Sequence, residues 1–347
     1  MSAVKDLYTT FKAELTVMSP VFIGSGDVLN KTRYYFDRKS NLVKIVDDKK
    51  FRAFLAKNDL FDSFQKHLVK FGKKGNLATW LFENNIRINS VDIFKYELPL
   101  SVIKTKDLKT NPLAQLNDIK MFVKNSDGMP YIPGSSIKGA IRTALLYLEL
   151  KNNKDKYSHY WNRLSSVIED KNLKKELESI IKDIEGEVFG SIKDSRFKAL
   201  RISDSNGLTY EDLHVAQRGD FPIHKAKVSA MSIFFEILNV DSKFNFNVEI
   251  DEHLNKDKYF TKEKIEEALA SFAKHQNNLY NVFAKKDLDR VYMPDEISDD
   301  VEPNLCLGGS SGFWSKTVVY ALAPNKESAI NILSNSAEVR FFRKVFV

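Results

Sequence analysis

Along residues 11–17, apolar Phe11, Ala13, Leu15 and Val17 alternate with Lys12, Glu14 and Thr16. That period of two predicts a strand with one covered face. Pro20 and the run Gly24-Ser25-Gly26 then interrupt the pattern, which predicts a loop. After a short strand-like LVKIV, the spacing turns helical from Lys49 to Phe71, with Phe51, Phe54, Leu55 and Phe61 as expected core. A polar, extended region is expected from there to about residue 120.

A second helical block runs from Tyr157 to Val188, where Leu164, Val167, Ile168, Leu177, Ile180 and Ile184 recur at helical spacing among many charges. It reads as an amphipathic helix or helix pair packed on a sheet. ALRISDS reads as a strand ending in a turn. From about residue 226 the strand pattern restarts in SIFFEILNV and FNFNVEI, and an apolar stripe through Ile265, Leu269, Phe272 and Ala273 predicts a helix. TVVYALA and VRFFRKVFV read as closing strands. Two rounds of strands with intervening helices, neither a regular βαβ series, predict an α+β protein. A domain boundary is placed near residue 225, giving units 1–225 and 226–347, with a helical insertion at about 150–190 in the first.

Length changes this picture little: 347 residues suffice for two domains of ordinary size. Charge adds more, because 53 basic residues against 46 acidic give a formal +7, an excess that favours polyanionic partners. Cys306 is the only cysteine, which excludes an intramolecular disulfide and a cysteine cluster for zinc and fits a reducing compartment. No apolar run has the length of a signal-peptide core or a membrane span, so a cytoplasmic, non-membrane protein is expected; no cofactor is expected either.

The stretch YIPGSSIKGAIRTALLYLEL, residues 131–150, carries the most local chemistry. Pro133 fixes φ and Gly134 admits conformations closed to other residues, which predicts a tight turn. Ser135 or Ser136 is the expected cap of the following helix, whose buried stripe is Ile137, Ile141, Ala144, Leu145 and Leu148. Lys138 and Arg142, four residues apart, share a neighbouring face near the helix start. Free N–H groups, a positive dipole end and two cations suit a phosphate; a well-capped helix with solvated cations is the alternative. A P-loop is excluded, because Lys138 precedes Gly139 and Ala140-Ile141 follow it.

LCLGGSSGFWSKT, residues 305–317, separates Gly308, Gly309 and Gly312 only by serines, so another molecule can approach its backbone closely. Ser310, Ser311, Lys316 and Thr317 could hold phosphate or sugar, and Phe313 or Trp314 could stack on a base. A hairpin with a glycine bulge is the other reading. FIGSGD, residues 22–27, poses the same choice.

Taken together, LTVMSPVFIGSGD, YIPGSSIKGAIRTALL, RISDS and LCLGGSSGFWSKT resemble, in order and spacing, the RAMP superfamily, the repeat-associated proteins of CRISPR systems. The resemblance spans nearly the whole chain. It implies two ferredoxin-like, RRM-related domains with glycine-rich loops, in a subunit that caps the 3′ portion of the guide RNA (crRNA) in a type III-A (Csm) effector complex. Implied partners are the guide, the repeated backbone RAMP and other Csm subunits, and host nucleases that mature the guide's 3′ end in antiviral defence. Another RAMP subunit of a type III complex is the near alternative. Implied RNA contacts are Gly24, Ser25 and Gly26 in the first loop and Ser135, Ser136, Lys138 and Arg142 in the second. In the last they are Gly309, Ser310, Ser311, Gly312 and Lys316. The aromatic pattern of an ordinary RRM sheet is not recognisable, so RNA is expected on loops and helix ends.

Catalysis would need a positioned acid and base. The six histidines form no metal-binding pair at helical spacing; His214 and His224 are the nearest to candidates, followed by Asp27, since a backbone RAMP subunit uses an aspartate in an early loop. The acidic run DEISDD, 295–300, could bind a cation or be a solvated loop. A non-catalytic binding subunit is expected, with a metal-independent guide-processing endoribonuclease as the competing reading.

Overall fold

The computed structural model describes residues 7–101, 116–166, 173–222, 229–284, 304–309, 318–325, 327–329, 332 and 342–346. Its strands are β1 (Tyr8–Thr16), β2 (Gly24–Leu29), β3 (Tyr34–Asp37), β4 (Leu42–Val46), β5 (Phe94–Ser101), β6 (Ile119–Phe122), β7 (Leu200–Ile202), β8 (Leu213–Pro222), β9 (Ser229–Leu238), β10 (Lys243–Asp251) and β11 (Phe342–Phe346). The helices are α1 (Asp48–Lys57), α2 (Phe61–Phe71), α3 (Leu77–Glu83), α4 (Gly134–Asn152), α5 (Lys154–Ser166), α6 (Leu173–Phe189), α7 (Lys262–Ala284) and the short α8 (Val319–Leu322).

The smaller sheet has the order β1-β10-β7. Alternation sets its register: Phe11, Ala13 and Leu15 of β1 stand opposite Val248, Phe246 and Phe244 of β10, so the apolar faces of both strands coincide. Since β1 and β7 are each antiparallel to β10, they are parallel to one another, and α4 crosses between them. Helix α7 follows β10 and packs along α4. A β-α-β-β-α series with this strand order is the ferredoxin-like, split βαβ arrangement.

The larger sheet runs β2-β6-β9-β8-β5-β4-β3, with β11 also paired to β8. The expected boundary near residue 225 falls between β8 and β9, which are adjacent antiparallel strands of this sheet. Each sheet draws strands from both sides of that point, and a continuous core joins Ile137 and Leu145 of α4 to Phe246 of β10, Phe272 of α7 and Leu98 of β5.

Three local expectations are corrected. The region before residue 120 is not simply polar and extended: α3 buries Leu77, Ala78, Trp80 and Leu81, capped by Asn76, whose Oδ1 accepts from the Thr79 N–H at 2.8 Å, and β5 follows. With α1 and α2 it builds a separate aromatic core in which Phe51, Phe64 and Trp80 meet edge to face. TVVYALA contains a helical turn, α8, because Val318, Val319, Ala321 and Leu322 are all buried, which a half-covered strand does not allow. The Gly24-Ser25-Gly26 run does not break the sheet but starts β2. Between Gly24, opposite Phe122, and Val28, opposite Lys120, the ladder slips. The extra residues form a bulge at which Gly26 takes φ +93°, while Gly24, Ser25, Gly26 and Asp27 stay exposed.

Candidate nucleic-acid interface

Three segments far apart in sequence meet at one groove of about 320 Å³. Ile23 and Gly24 enter from the junction that opens β2, the first turns of α4 contribute Ser136, Gly139, Ala140 and Thr143, and residues 304–309 contribute Asn304, Cys306, Gly308 and Gly309. Leu269 and Phe272 of α7 close the far side. The α4 residues recur at i, i+3, i+4 and i+7, so one helix face presents nothing larger than threonine to the groove. Gly139, Ala140 and Thr143 are not among the residues the sequence singles out, because Lys138 and Arg142 beside them carry the more evident chemistry; the small-residue periodicity in SSIKGAIRT is their signal.

Lys138 and Arg142 lie on a different face and do not line the groove. The Lys138 ammonium donates to the carbonyls of Phe197 at 2.8 Å and Leu200 at 2.6 Å, tying α4 to the start of β7. Burial, then the neighbouring charges of Arg142 and Arg201, lower its pKa. Arg142 donates to Glu185 of α6 at 2.7 Å and lies over the rings of Phe189 and Phe197. The expectation of a free cation pair facing a phosphate is therefore corrected: both cations brace the helix internally.

The helix start is corrected as well. Neither Ser135 nor Ser136 caps α4; Pro133 holds the cap position, without a side-chain bond, and Asp204 of the RISDS segment accepts from the Gly134 N–H at 2.8 Å. A carboxylate thus already sits at the positive end of the helix. Ser205 completes the brace, its buried Oγ accepting from the Ile132 N–H at 2.7 Å while its own N–H donates to Ile132 O at 2.9 Å. Gly134 is required by this close approach and not by a positive φ, because a Cβ there would lie 2.2 Å from Ile202 O. Ser135 is exposed, and its N–H is the first-turn donor left without a partner among the described residues.

Of the remaining candidates, Ser310, Ser311, Gly312, Phe313, Trp314, Lys316, Thr317, His224 and the acidic run 295–300 lie outside the described residues. His214 stands on β8, away from the groove, its Nδ1 paired with Asn239 Oδ1; burial lowers its pKa. Asp27 is exposed in the bulge, its N–H donating to Ser25 Oγ at 3.1 Å. Among the described residues no group of histidine, cysteine or acidic side chains is arranged to hold a metal ion, and no helix is long and apolar enough to cross a membrane.

Residues 14–305 match the sequence model of the RAMP superfamily. The chain is 25% identical over 322 residues to the CRISPR system Cms protein Csm5 of Streptococcus thermophilus, covering 91% of this chain and 82% of that one. It is 26% identical to the protein of the same name from Enterococcus italicus, covering 97% and 87%. Among solved structures, a chain of the Csm–crRNA–target RNA ternary complex of a type III-A CRISPR-Cas system superposes with a TM-score of 0.71 at 21% identity, covering 97% of both chains. The crystal structure of T. onnurineus Csm5 superposes with a TM-score of 0.59 at 20% identity, over 79% and 82% of the two chains.

Proposed function

Because the chain belongs to the RAMP superfamily, we propose that it is the fifth Csm subunit of a type III-A CRISPR effector complex, an RNA-binding cap that holds the 3′ portion of the guide RNA in the cytoplasm. The observation that carries this reading is the convergence of β2, α4 and residues 304–309 on one groove floored by glycine, alanine and hydroxyl side chains. Such a surface admits a sugar-phosphate backbone to main-chain distance. Contacts of that kind position a strand without reading its bases, which a subunit serving any guide sequence requires. In this reading the chain supplies binding and no cleavage chemistry, and nucleases recruited from the host trim the guide's 3′ end.

The test is to assemble the complex around Thr143→Trp or Ala140→Trp, which fill the groove from the half-buried helix face. Loss of the subunit from the complex, or guides with untrimmed 3′ ends, is the expected result. Separately, the purified wild-type chain should leave a labelled repeat-spacer transcript intact. Defined cleavage without metal would replace this reading with that of a processing endoribonuclease.

A further inference from the structure

Strand β2 leads from the glycine-lined groove to a second one. At its far end a groove of about 410 Å³ is lined by Val28, Lys31, Lys73, Asn117, Lys120 and Ser232, among others. The three lysines come from separate segments: the turn after β2, the 3₁₀ turn after α2, and β6. Lys73 and Lys120 are exposed and Lys31 is half-buried. None of their ammonium groups is paired with a carboxylate among the described residues. Among the described residues, Asp118 is the one acidic side chain in the lining.

We propose that this lysine groove is a second contact for single-stranded nucleic acid, taking the phosphodiester backbone of the same strand that the glycine-lined groove holds at the other end of β2. The inference rests on the reading that the chain binds RNA.

Its parts are fixed in place. Lys120 stands directly opposite Val28 in the β2–β6 ladder, with its ammonium 5.4 Å from the centre of the Phe235 ring. The Asn117 side-chain amide donates to Ser232 O at 3.1 Å, which ties the start of β6 to β9 beneath the lysines. Phe235 is buried and, among the described residues, no exposed aromatic ring lines the groove, so the attraction these residues offer is that of charge. Between the two grooves β2 ends its sheet, with β6 as its single hydrogen-bonded neighbour among the described strands. The bulge keeps Gly24 to Asp27 exposed along that edge. At about 3.3 Å per residue, Gly24 and Lys31 are at most about 23 Å apart, a span a few nucleotides cover.

The experiment measures binding of a labelled oligouridylate and a mixed-sequence RNA to the full chain across a salt series. The triple variant Lys31→Gln, Lys73→Gln, Lys120→Gln is compared with wild type and with a control that removes the same charge from exposed lysines elsewhere, Lys57→Gln, Lys66→Gln, Lys182→Gln. Each phosphate contact on a single strand contributes about 0.7 to the log–log salt slope, so the groove variant should lower its magnitude by about 2, equally for both RNAs, while the control leaves it nearly unchanged. If the groove variant melts early, Ser232→Asp, which adds a negative charge at the exposed rim, should weaken binding in the same way. An unchanged slope in the groove variant, or an equal loss in the control, overturns the lysine groove and leaves the RNA-binding reading standing. Competition by polyglutamate as effective as that by RNA overturns it in favour of an acidic protein segment. No RNA binding by wild type overturns both readings.

Discussion

The backbone N–H of Gly309 donates to the carbonyl oxygen of Phe22 across 2.7 Å, latching residues 304–309 onto the start of β2. Phe22 is the hub of this latch. Its ring packs edge-on against Phe235 at 4.7 Å and lies so close to Gly24 that a Cβ there would meet it at 2.9 Å. Two glycine-bearing motifs nearly three hundred residues apart are thus shaped by one phenylalanine, and the groove between them depends on both staying small.

Gly308 and Gly309 should therefore respond differently to the same change. A Cβ on Gly308 would lie 2.3 Å from Phe22 O, and φ there is +84°, so Gly308→Ala combines a backbone clash with left-handed strain. Strain of that kind costs about 1–3 kcal/mol before the clash is counted. At Gly309 the nearest atom would be 3.6 Å away, and Gly309→Ala should stay within about 0.5 kcal/mol of wild type. Thermal unfolding of the two variants measures the difference; equal melting temperatures would mean that the latch does not hold the fold.

At the start of α4, Asp204→Ala should cost about 1 kcal/mol, the usual worth of a helix cap, while Ser135→Ala should cost almost nothing. Lys138→Ala leaves two carbonyls without their charged donor, and bonds of that kind contribute about 1.5–3 kcal/mol. Its RNA affinity should fall only as far as its stability does. Denaturation and RNA titration on the same samples check this, and affinity lost at full stability would return Lys138 to the binding surface.

Glu236 is fully buried in β9, where it accepts from the Tyr96 hydroxyl at 2.7 Å and the Phe122 N–H at 2.9 Å and pairs with the Lys124 ammonium. Burial, then the Glu236 charge, push the Tyr96 phenol well above its ordinary range, so it stays a donor. Glu236→Leu strands Lys124 without its counter-charge and should cost about 3–5 kcal/mol. Adding Lys124→Met should recover a large part of that loss. A urea-denaturation double-mutant cycle reads the coupling, and additive effects would contradict it.

Stability should also depend on His214 below neutral pH. Burial lowers its pKa in the folded chain from the ordinary 6.5. The unfolded chain therefore takes up a proton before the folded one does. His214 contributes fully above about 6.5 and less as the pH falls through its folded-state value. His214→Gln should flatten the decline in melting temperature over that acid window, and an unchanged slope would assign the decline to other groups.

Much of the fold was legible locally. The period of two in residues 11–17 gave β1 with the correct face, and FNFNVEI gave its partner β10, since each alternation follows from one covered face of one sheet. The stripe Ile137, Ile141, Leu145 likewise marked the buried side of α4, and the charged block 157–188 one helix or a pair, of which the structure has the pair. Elements without periodicity were lost: α8 buries three of its four residues, and α3 is a short helix whose signal lies in Asn76 and one tryptophan.

At the interface, glycine at 24, 134, 308 and 309 marks in the sequence which backbone segments have to be small, because a missing side chain is chemistry that the chain carries wherever it folds. What each is small for depends on which distant segment the fold brings against it. Gly134 admits the carbonyl of Ile202, Gly308 that of Phe22 and Gly24 the Phe22 ring, while Gly309 borders the groove with room to spare. The fold likewise turned Lys138 and Arg142 inward, onto carbonyls and a glutamate supplied from 43 to 62 residues away. A charge or a missing side chain is a local property, but its partner is whatever the topology brings within about 3 Å, and no spacing along the chain encodes that.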